Sequence, residues 1–206
     1  MLTNVILSML LGLSAPESID TKKTLADDIN SINIEESFSN SMSVYDSLAT
    51  YAFDWSKEHN DYAVLIDKNK RQLYLFHNGS VDTTFKVGLG FNPVDDKLIE
   101  GDGCTPEGIY YVSMKKNVGQ THFYKAFLLD YPNKEDWQRF NQAKKKGLIS
   151  SDESIGGLIE VHGCGSSIDW TLGCVALNDS DMDYLFPLIK RNYNPIVVIG
   201  TTNQEF

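Results

Sequence analysis

The residues best suited to covalent chemistry are His162 and Cys174, which share the stretch L-I-E-V-H-G-C-G-S-S-I-D-W-T-L-G-C-V-A-L over 158–177. Cysteine attack on a carbonyl requires a thiolate, and an adjacent imidazole can take the thiol proton and hold the resulting ion pair. Gly173 has no Cβ, so it permits the sharp turn that a presented nucleophile needs and lets a substrate carbonyl approach the backbone. The N–H groups around Gly173 and Cys174 are then candidate oxyanion donors. The pair alone does not identify a catalyst, because a histidine or a cysteine by itself is more commonly a packed core residue. A zinc site is the rival chemistry, since His162, Cys164, Cys174 and Cys104 are all competent ligands. No C-x-x-C pair is present, which weighs against it, and the expectation is no metal and no bound cofactor.

Two strands must bring the pair together. Residues 157–161 form an apolar run that ends directly in His162, and Val175-Ala176-Leu177 follows Cys174 as a second run. If the second returns beside the first, the Gly/Ser loop between them folds the two side chains toward one another. The rest of the chain from Asp61 reads as short strands. These are 62–66, 72–76, 83–87 behind an Asn78-Gly79 hairpin, 108–112, 123–129 and 195–200. Lys134 to Lys146 reads as a helix ended by Gly147, and a further helix starts near Asn178 or Ser180 and carries Met182, Leu185, Leu188 and Ile189. Val44, Leu48, Ala52 and Trp55 recur at helical spacing behind a cap at Ser41 or Ser43. The expected fold is mainly β with peripheral helices, arranged as two packed mixed sheets. The expected domain runs over 61–201, with a polar spacer and one amphipathic helix over 16–60 and a tail at 202–206.

A formal net charge of −10 argues against nucleic acid, whose phosphates call for clustered Lys and Arg. Val5 to Leu13 is too short to span a bilayer, which takes about 20 residues. It has the length of a signal-peptide core, with Gly12, Ser14 and Ala15 as small residues for cleavage, although no basic residue precedes Lys22. The expectation is an exported protein with residues 1–15 as its signal and no stable membrane span. Three cysteines do not make a disulfide scaffold, and an odd count leaves at least one thiol free.

Several stretches taken together resemble the L,D-transpeptidase catalytic domain of the YkuD type, in order and spacing over about 61–200. They are G-D-G-C-T-P-E-G at 101–108, the Tyr-rich strand after it, Tyr131-Pro132-Asn133, the G-L-I-E-V-H-G of 157–163 and the D-W-T-L-G-C of 169–174. The nucleophile segment is similar to the branch carrying D-W-T-x-G-C-[IV]-A-L. The resemblance implies acyl transfer on peptidoglycan stem peptides through a thioester on Cys174, with His162 as base. It gives Gly173, Thr171 and Gly163 oxyanion or orienting roles, with Trp170, Asp169 and, more weakly, Tyr111 near substrate. Leu172 stands where many members have a second histidine and Ala176 where many have arginine, so proton transfer rests on His162 and a carboxylate clamp is absent. A hydrolase on the same acyl-enzyme, cutting cross-links or releasing a wall-attached protein, is the alternative; a non-catalytic wall-binding module is the alternative of another class. The resemblance also puts the loop of Cys104 near the site, where it either pairs with Cys164 or stays a free thiol. Tyr110 and Tyr111 also suit sheet packing, and His122 a solvated edge. Asp102 and Glu107 suit loop-fixing hydrogen bonds. Residues 134–154 suit either a lid or a surface insertion.

Overall fold

Asn78 and Gly79, at φ 50° and 68°, supply the two left-handed residues that a tight hairpin turn requires. They join β2 (Gln72–His77) to β3 (Ser80–Lys86), and β2 pairs antiparallel with β1 (Tyr62–Asp67). The computed structural model describes residues 44–206. The apolar run at 5–13, the polar spacer and the expected cap at Ser41 or Ser43 lie outside them. Among the described residues, no helix is long and apolar enough to cross a membrane.

Five further strands follow: β4 (Gly108–Lys116), β5 (Ala126–Leu129), β6 (Glu160–His162), β7 (Val175–Ala176) and β8 (Pro195–Ile199). The fold is mainly β with peripheral helices, but the expected pair of packed sheets is instead one eight-stranded sheet, ordered β3-β2-β1-β8-β4-β5-β6-β7. The physical reason lies in β4. Its first half, Gly108 to Tyr111, pairs with β8, while its second half, from Val112 to Lys116, pairs with β5. A register shift between Val112 and Met114 bends the strand where the partners change, as bulges do. One strand thus carries the sheet around a corner. Beyond β3 the chain reaches the far edge, with Gly88 bridging Ala176 and Gly90 bridging Thr171. Leu73, Leu75 and Val87 from one end of the sheet therefore share a core with Val161 and Val175 from the other.

Among the described residues, three helices pack against the sheet. In α1, described over 44–59, Ala49 and Ala52 pack on Leu65, Phe76, Val197 and Ile199 of the sheet. Of the expected stripe, Ala52 and Trp55 are buried and Leu48 packs half-buried on the same cluster, while Val44 is 55 % exposed. Small residues at the contact let the helix lie close on the strands. Asn133 caps α2 (Lys134–Lys145) in a reciprocal box with Asp136, and acidic and basic residues at opposite ends suit the helix dipole. In α3 (Asp179–Leu188), Met182 and Leu185 are buried.

A buried ammonium anchors the loop that leads into β4. Lys68 donates to Asp95 O at 2.7 Å, to Thr105 O at 3.1 Å and to the Glu107 carboxylate at 2.8 Å. Asp102 fixes the same loop by accepting from the N–H groups of Leu98, Ile99 and Cys104. Removing one member of a buried ion pair strands the other. Lys68→Ala is expected to lower the unfolding free energy by about 3–5 kcal/mol, measured by urea denaturation. A loss below about 1 kcal/mol would mean that other contacts carry the loop.

Candidate active site

The parallel pairing of β6 with β7 sets Val161 opposite Val175 and His162 opposite Ala176. Cys174 thus enters level with Glu160, and the Glu160 N–H donates to its Sγ at 3.3 Å. The thiol in turn faces the Leu158 carbonyl at 3.8 Å. The Gly/Ser loop therefore does return the second run beside the first. His162 stands two residues beyond Glu160 and is fully buried.

The imidazole has a defined tautomer. Nδ1 lies 2.6 Å from the Gly163 carbonyl. A carbonyl can only accept, so Nδ1 carries the hydrogen and Nε2 keeps its lone pair. Nε2 is the one buried side-chain nitrogen or oxygen without a hydrogen-bond partner among the described residues. Burial pulls the His162 pKa below its ordinary 6.5, against the Gly163 hydrogen bond and the Glu160 charge, which favour the cation. Burial pushes the Cys174 thiol up to about 11; the Glu160 N–H lowers it and the Glu160 carboxylate raises it. Burial thus disfavours the charged form of each group taken singly.

Thr171 shapes the turn before the nucleophile. Its hydroxyl donates to Cys174 O at 2.7 Å and accepts from the Gly173 N–H at 3.1 Å. Gly173 adopts φ 130°, and a Cβ there would lie 2.6 Å from the Cys104 carbonyl oxygen, so only glycine fits. The Gly173 N–H is already occupied, which leaves the Cys174 N–H as the oxyanion candidate of the two. Gly163 serves through its carbonyl, which orients His162. Thr171→Val is expected to lower kcat/KM by about 5- to 30-fold, because it leaves the Gly173 N–H unpaired, while Thr171→Ser retains activity. Equal kinetics for the Val and Ser variants would rule out that hydroxyl's role.

A groove of about 960 Å³ opens on Cys174 and is lined by Leu158, Glu160, Trp170, Leu172, Lys116 and Phe123, among others. Leu172, where a second histidine would stand, is 72 % exposed there. Trp170 donates from Nε1 to Gly165 O at 3.1 Å and turns an edge toward His162. Asp169 is engaged elsewhere: it pairs with Arg71 at 3.0 Å and accepts from the Leu89 N–H, tying the loop to the strand region after β3. Tyr111 lines a separate cavity of about 660 Å³ beside α1 and α2, with its hydroxyl 3.2 Å from that of Tyr51. The structure does not bring it to Cys174. None of residues 134–154 lines the groove, whose walls come from Lys116, 119–123, 157–160 and the 170–174 segment. His122 lies in the first of these walls.

Three groups escaped the sequence reading. Lys116 and Glu160 form an ion pair at 2.6 Å in the groove, and Phe123 stacks on His162. Strand alternation could have flagged Glu160, two residues before His162; Phe123, expected as the first residue of a strand, instead precedes β5 in an irregular segment. Cys104 is buried and Cys164 exposed, and all three cysteines are free thiols. Among the described residues, no group of three or more His, Cys, Asp or Glu could hold a metal ion.

The sequence profile of the YkuD domain, described as the L,D-transpeptidase catalytic domain, matches residues 61–199. No curated protein sequence matches the chain. Among solved structures, Pgp2 of Campylobacter jejuni, a helical cell shape determining protein, is 26% identical with a TM-score of 0.50. Bd1075 of Bdellovibrio bacteriovorus is 24% identical with a TM-score of 0.51, a likeness of fold. Each alignment covers 71% of this chain and 50% of the other, so the chain spans about half the length of these relatives.

Proposed function

The chain belongs to the YkuD family of L,D-transpeptidase catalytic domains, and from that premise we propose that it is an exported cysteine acyltransferase acting on peptidoglycan stem peptides. Cys174 is the nucleophile and His162 the base. The observation that carries this reading is the buried Nε2 lone pair of His162, unpartnered, on the strand that pairs with the one Cys174 opens. The likeness to Pgp2 supports a role in setting cell shape through the wall.

In the resting site the thiol faces the Leu158 carbonyl. For reaction, Sγ turns to Nε2 and gives up its proton as it bonds to the substrate carbonyl carbon. The oxyanion so formed meets the Cys174 N–H. The imidazolium then protonates the departing amine, the C–N bond breaks, and a thioester remains on Cys174. An acceptor amine, deprotonated by His162, attacks that thioester and makes a new amide; the sulfur leaves and recovers the proton. Water in place of the amine gives hydrolysis.

Defined muropeptides incubated with the purified protein, with and without a primary-amine acceptor, test this reading by mass spectrometry. Transfer predicts an acyl adduct on Cys174 and a product enlarged by the acceptor. Trimmed products alone, with acceptor present, would assign the protein as a hydrolase. Absence of any adduct on Cys174 would leave only a wall-binding module.

A further inference from the structure

The imidazole of His162 is held on its face as well as at its edge. The Phe123 ring lies 3.5 Å from it, centroid to centroid, at an interplanar angle of 3°. Trp170 stands edge-on to both, 5.6 Å from His162 at 69° and 6.1 Å from Phe123 at 67°. The stack fixes the imidazole plane, and the Nδ1 bond to Gly163 fixes its rotation within that plane. Two neutral aromatic rings prefer an offset or edge-to-face contact to direct face-to-face overlap. A cation over the ring face is attracted by the quadrupole. The observed geometry therefore favours the imidazolium over the neutral ring, and an interaction stronger in the charged intermediate than in the resting state accelerates the step that forms it.

We propose that Phe123 is a positioning residue of the acyl-transfer reaction, whose ring holds the His162 imidazole in plane and stabilises the imidazolium formed when Cys174 gives up its proton. The inference rests on His162 being the base. Other groups near the imidazole are set by contacts that do not involve position 123. Glu160 on the same strand is paired with Lys116 of β4 and accepts from the Thr121 hydroxyl. Cys174 faces Glu160 from the neighbouring strand. Lys125 is paired with Asp183 of α3, and Asp179 of α3 accepts from the Cys164 N–H.

Replacing Phe123 by pentafluorophenylalanine keeps the shape of the ring and inverts its quadrupole, so it separates electrostatics from packing. His162 is titrated by NMR in a Cys174→Ala background, and kcat/KM is followed against pH with Cys174 intact. The fluorinated ring is expected to lower the His162 pKa by about 0.5–1.5 pH units and to reduce kcat by about 3- to 30-fold, at unchanged thermal stability. Phe123→Tyr, which keeps the electron-rich face, is expected to stay near the parent in both. Coincident titrations and rates for the fluorinated and parent proteins would overturn the proposal. The titration needs no turnover, so a protein that forms no adduct on Cys174 would sink the proposed function while the ring's effect on His162 is still read.

Discussion

Cys174→Ala is expected to abolish turnover and the acyl adduct, while Cys164→Ala leaves both unchanged. Either thiol lies within the segment that carries His162, and Cys164, two residues beyond it, is the more exposed. Position in the fold separates them. Cys174 opens onto the groove, follows the strained Gly173 turn and receives the Glu160 N–H on its sulfur. Its half-buried thiol, with a pKa raised to about 11, corresponds to a thiolate fraction on the order of 10⁻⁴ at pH 7. Alkylation of Cys174 by iodoacetamide, followed by peptide mass, is therefore expected to be slow at neutral pH and to climb steadily toward pH 11. Fast alkylation that persists below pH 7 would instead indicate a standing thiolate–imidazolium pair. Full activity in Cys174→Ala would identify the wrong thiol.

Replacing His162 by Gln should reduce kcat/KM by about 10²- to 10⁴-fold, the range of a lost general base. The pH profile tests the role more closely. The base works only when Nε2 is unprotonated, and burial holds its pKa below 6.5. Activity is therefore expected to persist through neutral pH and to fall as pH drops below about 6.5, where an ordinary histidine is already half charged. In His162→Gln that acid limb should vanish, and the residual rate should rise toward the value near 11 at which Cys174 ionises unaided. Retention of the acid limb in the variant would assign it to another group.

These expectations draw on features of unequal legibility. The Asn78-Gly79 turn was readable because its chemistry is local: two adjacent residues tolerate the left-handed conformation, and the hairpin register follows. The α2 boundaries were readable to within a residue because Asn133 caps one end and Gly147 follows the other. The strands flanking the site were placed less sharply. The run at 157–161 pairs only from Glu160, and the strand expected from Phe123 starts at Ala126. Phe123 and residues 157–159, outside the assigned strands, line the groove.

The amino-acid order by itself determined that the strand ending in His162 and the run after Cys174 would lie side by side, since two apolar runs joined by a loop of small residues return the chain upon itself. Tertiary structure alone decided what surrounds each of the two side chains. Burial disfavours charge on both groups, the Gly163 carbonyl selects the tautomer, and Thr171 takes the Gly173 N–H. A bend in β4 merges two expected sheets into one, Tyr111 lines a different cavity, and Phe123 stacks on His162. Periodicity reports which face of a strand is buried, but charge state, donor availability and ring stacking depend on atoms that distant segments bring to the same few ångströms.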